Sequence, residues 1–398
     1  MPDDGGLIFL TDTSAQGESM RVTWDIFCRV IDNFGDIGVT WRLAKQLNQE
    51  HGFAVRLWVD DLSAFHAICP AVVVTAEQQV VACVEVCLWR DTAVAVLAGE
   101  CADVVIEAFA CQLPDDYIDL MRAKQKVLWL NLEYLTAEPW AAECHALPSM
   151  QGGGLHKYFF FPGFTENTGG LLREANLLAQ RDAFIACERS RAEYLADLGV
   201  RQQSGERLIS LFAYANPALP SLLKALSQDV RPNRLLVLPG PLQNAVTDWL
   251  AEKSLQVGQE YKKDSLIVQV LPYIQQENFD KLLWCCDLNC VRGEDSFVRA
   301  QWAGKPFVWH IYPQDDDAHL DKLEAFLALY RHLLGDDAQH MLNELCSVWN
   351  RGGDMAKVWS QFVVHEQALQ SHAACWSAQQ NKQADLATKL ALFYQDWL

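Results

Sequence analysis

Residues 22–30, VTWDIFCRV, followed by the turn Asp32-Asn33-Phe34-Gly35-Asp36 and the segment 39–59, decide the fold. The first run mixes period-two alternation with extra apolar residues, the pattern of a strand covered on both faces. Val39, Leu43 and Leu47 then recur at every fourth position and mark one face of a helix. Gly52 closes that helix, and FAVRLWV at 53–59 is the next strand. Strand, loop, helix and strand in this order form a βαβ unit, whose product is a parallel sheet.

Outward from this unit the theme repeats. Asp103-Val104-Val105-Ile106 reads as a short strand ending at Glu107, and Lys126 to Leu130 as another ending near Asn131 and Glu133. Residues 148–175 carry six glycines and two prolines and read as a long ordered loop or the start of an inter-domain connection. A second series starts near 207, with strands in LISLFAY, RLLVLPG, LIVQVLPY and DLNCVRG and helices near 217–228, 241–254 and 275–284. A further helix is predicted from Asp295 to just before Gly304-Lys305-Pro306, then a strand at FVWHI, with helical patterns over most of 315–398. At 398 residues two domains are expected. Two such α/β blocks place a ligand between the carboxyl ends of two open sheets.

Composition narrows the function. A formal charge of -19 argues against a nucleic-acid partner, because phosphate contacts dominate that affinity, yet it leaves room for a local site for one nucleotide. Thirteen cysteines without C-x-x-C spacing read as small hydrophobes in a reduced compartment. With no long apolar span, neither a membrane helix nor a membrane partner is expected. The first nineteen residues make a poor signal peptide and read as a leader outside the fold.

The glycines and acids mark the candidate site. Gly35 and Gly38 let the strand-to-helix turn approach a ligand closely, but neither a dinucleotide fingerprint nor a phosphate-binding P-loop is present. Asp32 and Asp36 inside the turn would repel a diphosphate and suit proton abstraction better. Asp36 is equally readable as the helix N-cap, and Asp32 as a plain turn residue. In Arg292-Gly293-Glu294-Asp295-Ser296 a strand ends and a helix begins, so exposed N–H groups and the Ser296 hydroxyl form an anion site. Glu294 and Asp295 suit sugar or ribose hydroxyls, or are surface acids on a capped helix. Phe212, Tyr214 and Tyr273 follow strands and either clamp a base or sugar or pack in a core. Gln276 either meets a base carbonyl or caps its helix. Asp315-Asp316-Asp317 with His319 matches no calcium loop and reads as a helix N-terminus, so no metal is expected.

The runs FCRVIDNFGDIGVTWRLAKQL, LWVDD, FFFPGFTENTGGLLRE, LFAY and RGEDSFVRAQWAGKPFVWHIYPQDDDAH closely resemble the bacterial elongation factor P arginine rhamnosyltransferases, the EarP family. The resemblance spans Met20 to Leu398. It implies an α/β GT-B glycosyltransferase with two Rossmann-like domains facing a central cleft, the C-terminal helix packing back on the N-terminal domain. The boundaries expected are 20–175 with the 383–398 helix for the acceptor side, 176–205 for a linker, and 206–382 for the nucleotide-sugar side.

The same resemblance implies inverting transfer of L-rhamnose from dTDP-β-L-rhamnose to an arginine guanidinium nitrogen of elongation factor P, in the cytoplasm, by a monomer needing no metal. The alternatives are a GT-B enzyme with another donor or acceptor, and a non-catalytic protein-binding module on the same fold. The family's catalytic aspartates fall on Asp32 and Asp36, its essential glutamate on Glu294, and its nucleotide contacts on Phe212, Tyr214, Asp295 and Ser296, with Tyr273 and Gln276 at the helix-entry loop. Asp36 is expected to act as the base and Asp32 to fix the guanidinium plane, although their roles are exchangeable at this stage. Glu294 is expected to position donor hydroxyls.

Overall fold

The computed structural model describes residues 21–398 except 33, 91–93 and 125. The expected leader at 1–19 lies outside the described residues. The first half forms an eight-stranded sheet in the order β3-β4-β2-β1-β5-β6-β8-β7. Its strands are β1 (Thr23–Cys28), β2 (Ala54–Val59), β3 (Gln78–Val81), β4 (Val84–Leu88), β5 (Val104–Ala108), β6 (Leu128–Leu132), β7 (Pro148–Met150) and β8 (His156–Phe160). All neighbours pair in parallel except the two edge hairpins, β3/β4 and β7/β8. The second sheet runs β11-β12-β10-β9-β13-β14, built from β9 (Arg207–Leu211), β10 (Asn233–Val237), β11 (Glu260–Lys263), β12 (Leu266–Val270), β13 (Leu288–Arg292) and β14 (Phe307–His310). It is parallel but for β11.

The central strands β5, β6, β9, β10 and β12 are buried along their whole length, as helices on both sides of a sheet require. Each sheet has its own core. Trp24, Ile26, Leu43 and Leu57 belong to one, and Leu208, Leu235, Val268 and Phe297 to the other. Buried charges in these sheets are paired, as their desolvation demands. Arg56 makes a fork to Asp25 at 2.6 and 2.7 Å, and Arg234 binds Glu206 and Glu260.

The segment 148–175 differs from the reading as a loop, because it contains β7 and β8. Gly153 and Gly154 have positive φ and turn a hairpin, so the glycine signal marks its tip rather than a structureless span. Elsewhere the expected elements appear within a few residues, and Gly304 ends the Asp295–Ala303 helix in the left-handed conformation.

The long Met355–Gln380 helix packs Val358, Trp359, Phe362 and Trp376 into the second core. The chain then returns. The Leu386–Trp397 helix buries Leu386, Ala387, Leu390 and Tyr394 in the first core, with Tyr394 edge-on to Trp24. The two strands of chain that pass between the halves lie side by side: Leu386 N–H donates to Leu171 O at 3.0 Å, Gln383 Nε2 to Phe164 O at 2.8 Å, and Arg173 to Asn381 O at 3.1 Å.

Asp385 caps the returning helix through Thr388 N–H at 3.0 Å and also accepts from Gln46 Nε2 at 3.0 Å. Asp385→Ala is therefore expected to cost roughly 1–2 kcal/mol, read as a lower urea midpoint. An unchanged midpoint would show that this cap does not hold the helix.

Candidate active site

The carboxyl ends of the two sheets face each other across a cleft. From the first sheet comes the β1 loop and the Gly35–Gln49 helix; from the second come the β9, β12 and β13 loops and the Asp295–Ala303 helix. A cavity of about 790 Å³ is lined by Phe34, Phe212, Tyr273, Gln276, Arg292 and Ser296, among others. A second, of about 890 Å³, is lined by Asp36, Phe109, Tyr134, Trp309, Tyr312 and Lys322, among others. Asp32, Gly35, Gly293 and Glu294 line both and so form their common wall.

Asp36 is not the N-cap; it lies one residue inside the helix, and its carboxylate folds back over the loop. Oδ2 accepts from the N–H groups of Ile31 and Asp32, both at 2.9 Å, while Oδ1 accepts from the Tyr134 hydroxyl at 3.2 Å. One oxygen thus holds the loop and the other faces the second cavity. Asp32 accepts from the Tyr214 hydroxyl at 3.0 Å. Burial raises its carboxyl above the usual range; Tyr214 opposes this, Asp36 adds to it, and Arg292 opposes it.

Glycine is required where these elements meet. A Cβ on Gly35 would lie 2.8 Å from Asp32 Oδ2. Gly293, at φ 62°, would bring one to 3.2 Å from the same oxygen. The Asp32 carboxylate is thereby packed against glycine backbone from both halves.

Glu294 sits at the N-cap of its helix without capping it. Its Oε2 accepts instead from Leu135 N–H across the cleft at 2.9 Å. Burial pushes its carboxyl up to about 7, with Lys322 and the Leu135 N–H pulling it down and Asp36 and Asp295 pushing it up. Asp295 is tied to Arg42 at 2.9 Å and to Gln276 Nε2 at 3.3 Å, and Gln276 Nε2 also reaches Gly38 O at 2.8 Å. The Gln276 side-chain oxygen Oε1 is buried without a partner. Ser296 donates its hydroxyl to Arg292 O. All nine residues singled out in the sequence therefore meet at one cleft, but the polar side chains at 276, 295 and 296 bind protein groups there.

Four further residues enter the site that the sequence reading does not single out: Arg42, Tyr134, Arg292 and Lys322. Arg292 stacks its guanidinium over Phe212 at 4.4 Å and Tyr214 at 4.9 Å, so the two aromatics hold a cation. Its position beside a strand-ending glycine is a local signal; the others are brought in from distant segments. Among the described residues no group of three or more His, Cys, Asp and Glu is arranged to hold a metal ion. The Asp315–Asp317 turn leads directly into the Ala318–Tyr330 helix, and His319 Nδ1 accepts from Gln314 N–H at 3.2 Å. No helix of the described residues is long and apolar enough to cross a membrane.

The raised Glu294 has a thermodynamic consequence. A carboxyl that binds its proton more tightly when folded stabilises the fold below its unfolded pKa, and that contribution is lost as pH rises through about 7. Glu294→Gln carries no such loss. Its melting temperature relative to the parent is expected to be higher at pH 8 than at pH 5; an equal difference at both would contradict the burial of this charge.

The family described as Elongation-Factor P (EF-P) rhamnosyltransferase EarP matches residues 24–395. A protein-arginine rhamnosyltransferase of Pseudomonas putida is 55% identical over 95% of this chain and 100% of its own length. One of Pseudomonas aeruginosa is 54% identical over 94% and 100%. A solved structure described as the structural basis for EarP-mediated arginine glycosylation of translation elongation factor EF-P is 42% identical, with a TM-score of 0.70 over 95% of this chain and 100% of that one. The MurG of Acinetobacter baumannii, 14% identical with a TM-score of 0.51 over 94% and 99%, shares the fold. With matching sequence from the first strand to the last helix, and a two-sheet cleft of the GT-B type, the chain belongs to the EarP family.

Proposed function

We propose that this chain is an inverting GT-B rhamnosyltransferase that moves L-rhamnose from dTDP-β-L-rhamnose to a guanidinium nitrogen of an arginine in elongation factor P. The observation that carries the reading is the common wall of the two cavities. Donor and acceptor occupy opposite sides of Asp32, Gly35, Gly293 and Glu294, the arrangement a single displacement at C1 requires. The partner and the thirteen free thiols both suit a cytoplasmic enzyme. Residues 20–175 with 383–398 are assigned to the acceptor half, 176–205 to the connection and 206–382 to the donor half.

The donor lies in the cavity of Phe212, Tyr273, Gln276 and Arg292. Its diphosphate meets the start of the Asp295–Ala303 helix and the Arg292 guanidinium, two sources of positive field for the charge that grows on the leaving oxygen. Glu294 accepts hydroxyls of the sugar. The arginine enters the cavity of Asp36, where several acids offset its charge.

Guanidinium has a pKa above about 12 and does not release a proton in the resting complex. The step is therefore concerted. The nitrogen pair forms the N–C1 bond while the C1–O bond breaks and its electron pair goes to the β-phosphate oxygen. The same nitrogen gives one proton to Asp36, so the products are dTDP, an α-rhamnosyl guanidinium and a protonated aspartate. Asp32 pairs with a second N–H and fixes the plane of the group.

Asp36 suits the base role because Oδ2 is anchored by two backbone donors while Oδ1 points to the acceptor side. Asp36→Asn keeps the shape and an acceptor for those N–H groups. It is expected to leave dTDP-rhamnose affinity unchanged and to lower turnover by about 10²–10⁴-fold, measured as the mass shift of EF-P. Near-normal turnover would transfer the role to Asp32.

A further inference from the structure

Two tyrosine hydroxyls, one from each half, each donate to one of the cleft aspartates. Tyr214 serves Asp32 and lines the donor cavity, whereas Tyr134 serves Asp36 and lines the acceptor cavity. Tyr134 follows β6 and is 39% exposed, high for an aromatic whose hydroxyl reaches a buried carboxylate. Its ring lies flat on Phe109, at 4.5 Å and 15°, and the Lys322 ammonium stands 5.9 Å from its centroid.

Of the three donors to Asp36 among the described residues, two are backbone N–H groups of the loop. The third, the Tyr134 hydroxyl, is a side chain at the cavity wall and sits on the oxygen that faces the acceptor. The charged groups around the ring are the acids Asp36, Glu294 and Asp32 and the cation Lys322. Burial, then the Asp36 carboxylate, push the phenol well above its ordinary range, so it stays a donor.

We propose that Tyr134 is a positioning residue for the acceptor: its hydroxyl holds the place on Asp36 Oδ1 that a guanidinium N–H takes, and its Phe109-backed ring is the surface on which the arginine side chain lies. In the free enzyme the hydroxyl keeps Oδ1 of Asp36 aimed. On arrival the guanidinium supplies that donor itself, and the displaced hydroxyl is free to turn to another acceptor. An arginine is preferred over a lysine because a planar cation both stacks on the ring and presents parallel donors to Asp36 and Asp32.

This inference rests on the reading of Asp36 as the base, and its test separates the two. Steady-state kinetics of Y134F and Y134L are measured with EF-P and dTDP-β-L-rhamnose across pH, with donor affinity by calorimetry and melting temperature as a control for folding. A carboxylate stripped of a donor holds its proton more tightly. For Y134F the acid limb of kcat/KM, which reports the free enzyme, is expected to move to higher pH, while that of kcat stays in place. Y134L is expected to raise the KM for EF-P by about tenfold, with donor affinity unchanged in both variants.

An unmoved kcat/KM limb in Y134F, or an unchanged KM in folded Y134L, would overturn the proposal. So would a loss of donor affinity in either, since Tyr134 does not line the donor cavity. Failure of Asp36 as base shows separately, as turnover retained by D36N.

Discussion

The site depends on a buried ionic lattice that fixes the two sheets face to face. Arg42, on the first helix, reaches Asp295 at 2.9 Å, Glu174 at 3.3 Å, Asp280 at 3.7 Å and the Gln276 carbonyl at 3.3 Å. Arg299 makes a fork to Asp280 at 2.7 and 2.6 Å and binds Glu174 at 2.6 Å. Two guanidiniums and three carboxylates thus tie the Gly35–Gln49 helix to the Gln276–Cys285 and Asp295–Ala303 helices and to the chain at Glu174. Glu174 is held well below the usual carboxylate range by Arg299 and Arg42, against its burial. Removing the buried Asp280 carboxylate would leave the Arg299 and Arg42 guanidiniums short of a partner away from water, a cost of about 3–5 kcal/mol. The lattice is therefore less a source of stability than a constraint on register: sliding one half by a residue would orphan several charges at once.

That register explains the chemistry of the cleft. It sets the amino end of one helix, carrying Asp36, against the amino end of another, preceded by Glu294. Asp36 and Glu294 thus lie where both helix dipoles favour negative charge. On the donor side Arg292 supplies the opposing charge. The two cavities thus share Asp32 and Glu294, while the first adds Arg292 and Asp295 and the second adds Asp36 and Lys322.

Much of this was legible in the sequence because it is local. The alternation in 22–30, the helical face of Val39, Leu43 and Leu47, and the glycine stops at 52 and 304 each depend on neighbours within a few residues. So do the loops that carry Asp32, Asp36 and Glu294. The β7/β8 hairpin was not legible, since its glycine-rich tip reads as loop and its short edge strands have little apolar pattern. The β3/β4 hairpin left no distinct signal for a related reason: Gln78, Gln79 and Glu85 alternate on a half-solvated edge. Nor could spacing reveal that Asp36 would find Tyr134, that Asp295 would find Arg42, or that Gln276 would bond Gly38. Those partners lie 98, 253 and 238 positions apart; the first pair meets where the β1 and β6 loops adjoin at one sheet's end, and the other two only when the two sheets are docked.

The paired crossings between the halves carry a mechanical consequence. Because the outgoing chain near Leu171 and the returning chain near Leu386 are hydrogen-bonded to each other, they behave as one spine rather than two tethers. Sliding or twisting one half along that line would shear the bonds that join the two passes and, in the same movement, pull Arg42 away from Asp295 and Gln276 away from Gly38.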